Sequence, residues 1–349
     1  RRSMSSPSWL RPCLLLLLPL LASAALVPSP SLVSQRSRRA VQRRGHVRAS
    51  TQVITDIDDT VKSSGGVALA GIPLGGVDTS VTRSSFYPGV FQFGLELACG
   101  AVLFGKPPEP MAVLTARAEE FKVFLEIKNT TKLCVRYREA GEARGLQEWG
   151  VGPVLYGSVQ EWICQERKGW RKFENFKLLQ ARNSQRTRYV FIGDNGKSEK
   201  DLEAARMMIS AFPGLMRAVF IHAVSGEEQP APLPPDATIE GVPIFYYRTY
   251  ATAARKAAEN GFFTGAALNR VCDAIEADIA ADPANFGAGS ANEQLLRAEL
   301  DEARGKRQLG LVGAAVAAVV RPVAGLPRGL RNRLARRRRQ SDESPRDDK

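Results

Sequence analysis

The sequence predicts an α/β protein, a doubly wound parallel sheet with a small cap and a helical C-terminal extension. Three observations carry this. Short apolar runs end repeatedly in polar residues and pass into helical patterns, the alternation that builds parallel sheets. A Gly-rich stretch, 61–85, follows the first of these runs and reads as a loop or small flap. Residues 251–303 are Ala-rich and helical in pattern. At 349 residues and 44% hydrophobic, the chain can bury a sizeable core.

The elements follow in order. Gln52–Thr55 is an apolar strand that runs into Asp56, and Met111–Leu114 runs into Thr115. A helix is expected after Thr115, with Glu119 and Glu120 in its first turn, where the helix dipole favours acids. Tyr189–Ile192 runs into Gly193-Asp194 and a helical stretch through Met208. Val219–Ile221 and Ile244–Tyr247 read as two further strands. Ligands of such sheets bind beyond the carboxyl ends of the strands. Asp56, Thr115 and Asp194 are expected at that edge.

The net charge of +13 suggests nucleic acid until it is located. Residues 1–50 carry nine arginines and no acid, and residues 305–349 carry twelve Lys/Arg against four acids. The body between them is left with a net charge of −4, so no nucleic-acid partner is expected. The five cysteines show no metal-ligand spacing. His46 and His222 are the only histidines, which argues against His-based metal sites and Ser-His-Asp triads.

The ends of the chain read as address and tail. Met4 is the expected start. The apolar run Leu14–Ala25 would span about 18 Å as a helix, too short for a bilayer core of about 30 Å, and has the form of a signal peptide. The Arg- and Ser-rich, acid-free stretch that follows has the composition of a transit peptide. Together they resemble the bipartite presequence of plastid proteins in algae with complex plastids, which implies a plastid reached through the secretory pathway. A plain signal peptide, leading to the ER lumen or secretion, is the alternative. Expected boundaries are a presequence over 1–50, a catalytic domain over 51–250, a helical extension over 251–321 and a disordered charged tail over 322–349. Within the last two, apolar Leu309–Val320 followed by six arginines in 331–339 suits peripheral contact with an anionic membrane, and a solvated tail after a packed helix is the competing reading.

The chemistry concentrates in Asp56-Ile57-Asp58-Asp59-Thr60. In an extended chain residues i and i+2 share a side, so Asp56 and Asp58 can face one substrate. Two carboxylates this close repel, and a divalent cation relieves the repulsion. One can then attack phosphorus while the other, held protonated, donates to the leaving alcohol.

These residues resemble the first motif (Asp-x-Asp-x-Thr) of haloacid dehalogenase superfamily phosphatases. Val113-Leu114-Thr115 resembles their second motif and Phe191-Ile192-Gly193-Asp194-Asn195-Gly196 their fourth, in the family's order. The resemblance implies a haloacid dehalogenase-like Rossmannoid fold. It makes Asp56 the nucleophile and Asp58 the general acid and base. It implies Mg²⁺ held by Asp56, the backbone carbonyl of Asp58, and Asp194. Thr115 and a lysine would hold the phosphoryl group, with Thr60, Arg117 and Asn195 as flanking substrate-binding residues. Lys168, Lys172 and Lys177 all precede the fourth motif, and Lys172, opening an apparent helix, is favoured. The second acid of the fourth motif is either Glu199 or Asp201, with Asp201 the expected metal ligand.

Asp56 to Gly65, Phe86-Tyr87-Pro88-Gly89 and Gly193–Gly196 are more closely similar to the catalytic domain of actin-patch-type phosphatidate phosphatases, relatives of lipins. That similarity implies hydrolysis of phosphatidate. A soluble phosphomonoester or phosphoprotein is the alternative substrate. A non-catalytic phospholipid sensor is the second alternative, against which the presence of Asp58 argues. His222, at a strand end, is expected to be structural.

Overall fold

The computed structural model describes residues 50–320 apart from 70–71, 74–75, 101–106, 119–126, 159–164, 184–186, 197–198 and 225–231. Side chains of 306–320 are outside the description, so the apolar face expected over Leu309–Val320 is too. The same holds for the presequence (Ser50 excepted), the tail and the Glu119-Glu120 helix turn.

Nine strands are described. β1 (Thr51–Thr55) leads into a hairpin of β2 (Ala68–Leu69) and β3 (Ile72–Pro73). Next come helix α1 (Val90–Gly100), β4 (Met111–Ala118), α2 (Lys132–Ala143) and β5 (Val151–Gly157). α3 (Lys168–Arg182), β6 (Arg188–Asp194), α4 (Lys200–Ala211) and β7 (Met216–His222) follow. The described residues end in β8 (Ala237–Ile239), β9 (Val242–Tyr247), α5 (Tyr250–Glu259), α6 (Gly265–Ala281), the short α7 (Pro283–Phe286) and α8 (Ala291–Val320).

Seven strands form one sheet in the order β5-β4-β1-β6-β7-β9-β8, parallel except for β8 at one edge. Such a mostly parallel sheet flanked by helices is a Rossmann-like α/β arrangement. The near-continuous apolar character of the strands has a direct cause, because both faces are covered. Val53, Val113, Val190, Ile192, Ala218 and Phe220 point into one core, packed against α1, α5 and α6. Their alternates Ile54, Leu114, Tyr189, Phe191, Val219 and Ile221 point into the other, under α3 and α4. The period of two along each strand divides the residues between the two faces.

From β1 the chain winds outward through β4 to β5. It then returns to the other side of β1 with β6 and proceeds outward to β9. The reversal places a crevice beyond the carboxyl ends of β1 and β6. Two expectations change here. Thr115 lies inside β4 rather than past its end, since the strand continues to Ala118. β5 and β8 were absent from the sequence reading. Gly152 and Pro153 obscure the pattern of β5, and β8 is three residues long. Helices α5–α8 pack on the same core as α1.

Candidate active site

The crevice is built first from strand ends. Asp56 immediately follows β1, where its amide donates to the Ile192 carbonyl of β6 (3.0 Å). Asp194 is the last residue of β6. Asp201 reaches the same point from the first turn of α4, and its carboxylate accepts from the Asp194 amide (3.2 Å). A Cβ on Gly193 would fall on the Asp201 side chain, so glycine is required there. Carboxylate oxygens of Asp56, Asp194 and Asp201 all lie within 4.8 Å of one another.

Three carboxylates so placed are not balanced by protein charge alone. Lys172, on α3 and almost fully shielded, pairs with Asp201 and sits 3.0 Å from Asp56. Burial pushes Asp56 up to about 7. Lys172 opposes that shift, while repulsion from Asp201 and Asp58 adds to it. Burial, then Asp201, drives Asp194 well above the usual carboxylate range. Burial alone would pull Lys172 down, but Asp201, Asp56 and Asp194 together raise it. A trio of buried, mutually repelling oxygen donors fits a hard divalent cation, which takes oxygen ligands and supplies the missing positive charge.

Asp58 belongs to a separate arrangement. Its carboxylate receives two hydrogen bonds from Arg117, from Nε (3.0 Å) and Nη2 (2.6 Å). Burial would raise Asp58, yet the Arg117 guanidinium outweighs it and holds the carboxyl below its ordinary range. Lys62 and Lys168 face the same carboxylates. Burial lowers both ammonium groups, followed by Arg117 for Lys62 and Lys172 for Lys168.

The structure sets the open alternatives in different places. Lys172 is the lysine between the acids; Lys177 pairs with Glu174 on the outside of α3 (2.7 Å). Lys168 lies one helical turn before Lys172 at the mouth. Asp201 joins the acidic trio, whereas Glu199 is exposed, with φ of 47° at the start of α4.

Thr60, Asn195 and Arg117, the expected substrate contacts, are each engaged within the protein. Thr60 is fully buried and its carbonyl accepts from Tyr250 Oη (2.8 Å), so it lies beneath the site. The Asn195 side-chain oxygen accepts from the Val224 amide (3.0 Å) and ties two loops together. Arg117 is committed to Asp58, and the hydroxyl oxygen of buried Thr115 accepts from the Arg117 amide (3.2 Å).

Asp59 was missed, and it organises the flap. It is fully buried with φ of 61°, a left-handed conformation that short polar residues tolerate. Its carboxylate accepts from the amides of Ser64 (2.8 Å), Val77 (2.5 Å) and Asp78 (2.9 Å). Gly76 leaves the space this carboxylate occupies. The Asp59 carbonyl faces His222 Nδ1 (2.7 Å), and His222 Nε2 faces the Arg248 carbonyl (2.9 Å). His222 is therefore a buried support of the flap, as expected of a structural histidine. Only the presence of a third aspartate in Asp56–Thr60 hinted at Asp59's role.

No protein-family model, curated protein or solved structure matches this chain. Among the described residues no helix is long and apolar enough to cross a membrane.

Proposed function

We propose that this chain is a Mg²⁺-dependent phosphatase of the haloacid dehalogenase type, acting on phosphatidate through a phosphorylated Asp56. The observation that carries the reading is the convergence of Asp56, Asp194, Asp201 and Lys172 at the carboxyl edge of β1 and β6. In this reading Asp56, Asp194, Asp201 and the Asp58 carbonyl hold Mg²⁺, which supplies the positive charge needed to bring an anionic phosphate against carboxylates.

The residues then divide the work. An Asp56 oxygen attacks phosphorus, and the ester P–O bond breaks as Asp58 gives its proton to the leaving alcohol. Water, losing a proton to Asp58, displaces Asp56 and releases inorganic phosphate. Lys172, with Lys168 at the mouth, spreads the charge of the transferring group. Asp58 is held ionised by Arg117 without substrate. An incoming phosphate offers the guanidinium another anion, which frees Asp58 to carry the proton.

The substrate class rests on the similarity to phosphatidate phosphatases and on the size of the flap. Between β1 and α1 stands a loop with one two-residue-strand hairpin rather than an enclosing domain. Such a flap leaves the edge open to a bulky, membrane-borne ester. The test is phosphate release from phosphatidate in mixed micelles and from soluble sugar phosphates. Phosphatidate is expected to be hydrolysed faster, with EDTA abolishing activity and Mg²⁺ restoring it. Full activity in chelator removes the metal from the reading. Faster turnover of sugar phosphates replaces the lipid with a soluble substrate.

A further inference from the structure

The flap is fastened at two ends, and only one of them lies beside the active-site strands. At the inner end the Asp59 carboxylate holds the amides of Ser64, Val77 and Asp78. The two limbs are tied by Ser63 N to the Ser85 carbonyl and Ser84 N to the Ser63 carbonyl (both 2.9 Å). Tyr87 Oη and Ser80 Oγ both donate to the Asp78 carboxylate (both 2.7 Å).

At the outer end stands Asn285, two hundred residues away in the C-terminal extension and 8% exposed. Its Oδ1 accepts from the Thr82 amide (2.7 Å). Its Nδ2 faces Thr82 Oγ1 and Ser85 Oγ (both 3.0 Å) and Asp282 Oδ2 (2.7 Å). Asn292 Nδ2 donates to the Ser80 carbonyl (2.6 Å) and, more weakly, to the Asn285 carbonyl (3.3 Å). The carboxamide of Asn285 is thus divided between the flap and Asp282, the residue that caps α7. From Asn285 the path to the chemistry is short. Ser85 is bonded to Asn285 through its hydroxyl and to Ser63 through its carbonyl. Ser63 follows Lys62, whose backbone bridges Asp58.

We propose that Asn285 is a positioning residue for Asp58: the helical extension sets the flap, and the flap sets the proton-transferring carboxyl. This rests on the phosphatase reading above. A group that acts in proton transfer loses its effect when displaced by a fraction of an ångström, long before the fold is lost.

The leaving group makes the test specific. An alkyl phosphate needs a proton on its departing oxygen, whereas p-nitrophenyl phosphate scarcely does. Asn285→Ala is expected to lower kcat on an alkyl phosphomonoester about tenfold more than on p-nitrophenyl phosphate, a partial loss of general-acid catalysis. KM should stay within about threefold for both, since the phosphate-holding residues are untouched. Amide hydrogen exchange at Ser63 and Thr82 should quicken in the same variant. The paired change Asp282→Asn with Asn285→Asp keeps one carboxylate against one carboxamide and still offers an acceptor to the Thr82 amide. It should recover most of the alkyl-ester activity. Equal losses on the two esters, with a lowered melting temperature, would reduce Asn285 to a structural residue and overturn the proposal. Unchanged turnover of both esters would overturn it as well. If the unaltered protein hydrolyses neither ester, the proposed function fails. The link from Asn285 to the flap is then judged by exchange alone, and unchanged rates at Ser63 and Thr82 dismiss it.

Discussion

The inner and outer halves of the site are held in different ways. Asp56 and Asp194 are fixed by strands whose residues on both sides are buried, and Asp201 and Lys172 by helices packed on that sheet. Asp58 and Lys62 belong to a turn and flap whose shape comes from hydrogen bonds to Asp59 and Asn285. A strand end can hold repelling charges because the core beneath it cannot yield. Val61 and Val81 tie the flap into the main core, and the rest of its described ties are polar contacts that single substitutions remove. Binding of phosphate and metal should therefore tolerate flap damage better than proton transfer does.

The largest expected effect tests the inner half. Asp56→Asn should lower phosphate release by about 10⁴-fold or more, because a carboxamide cannot replace the nucleophile. The variant should melt no lower than the unaltered protein in metal-free buffer, since one of three repelling carboxylates is gone. Activity near the original level would remove Asp56 from its role. A sharply lowered melting temperature would show that the carboxylate supports the fold instead.

Asp58→Asn comes next, with a loss of about 10²–10⁴-fold, the usual worth of a general acid or base. The loss should be greatest for esters with poor leaving groups. Rates unchanged on such esters would dissolve the division between the halves.

Asp59→Ala probes the flap anchor as a matter of stability. Three amides lose their acceptor, which should lower unfolding free energy by about 2–4 kcal/mol in a denaturant titration. A smaller cost would mean that the flap holds its form without Asp59.

The smallest expectation is for Glu199→Gln, within about twofold in both kcat and KM, since the side chain is exposed and outside the acidic trio. A larger fall would return Glu199 to the site and break the inner half as drawn.

Local sequence alone determined the strands at Gln52–Thr55, Met111–Leu114 and Tyr189–Ile192, and with them the places of Asp56, the proposed nucleophile, and Asp194. An apolar run of alternating faces that ends in Asp writes both the element and its chemistry within a few residues. The Ala-rich helices after Tyr250 were legible for the same reason. Tertiary structure alone decided between Lys168, Lys172 and Lys177, because all three lie on or beside one helix and only its rotation against β1 selects among them. It likewise placed Asp201 rather than Glu199 in the acidic trio, and it engaged Thr60 and Asn195 in contacts within the protein. Asp59 holding Val77 and Asp78, His222 beneath Asp59, and Asn285 against Thr82 leave no periodic trace in the sequence. Each joins residues from about twenty to two hundred positions apart through single hydrogen bonds, and such a bond exists only after the sheet has brought its two ends together.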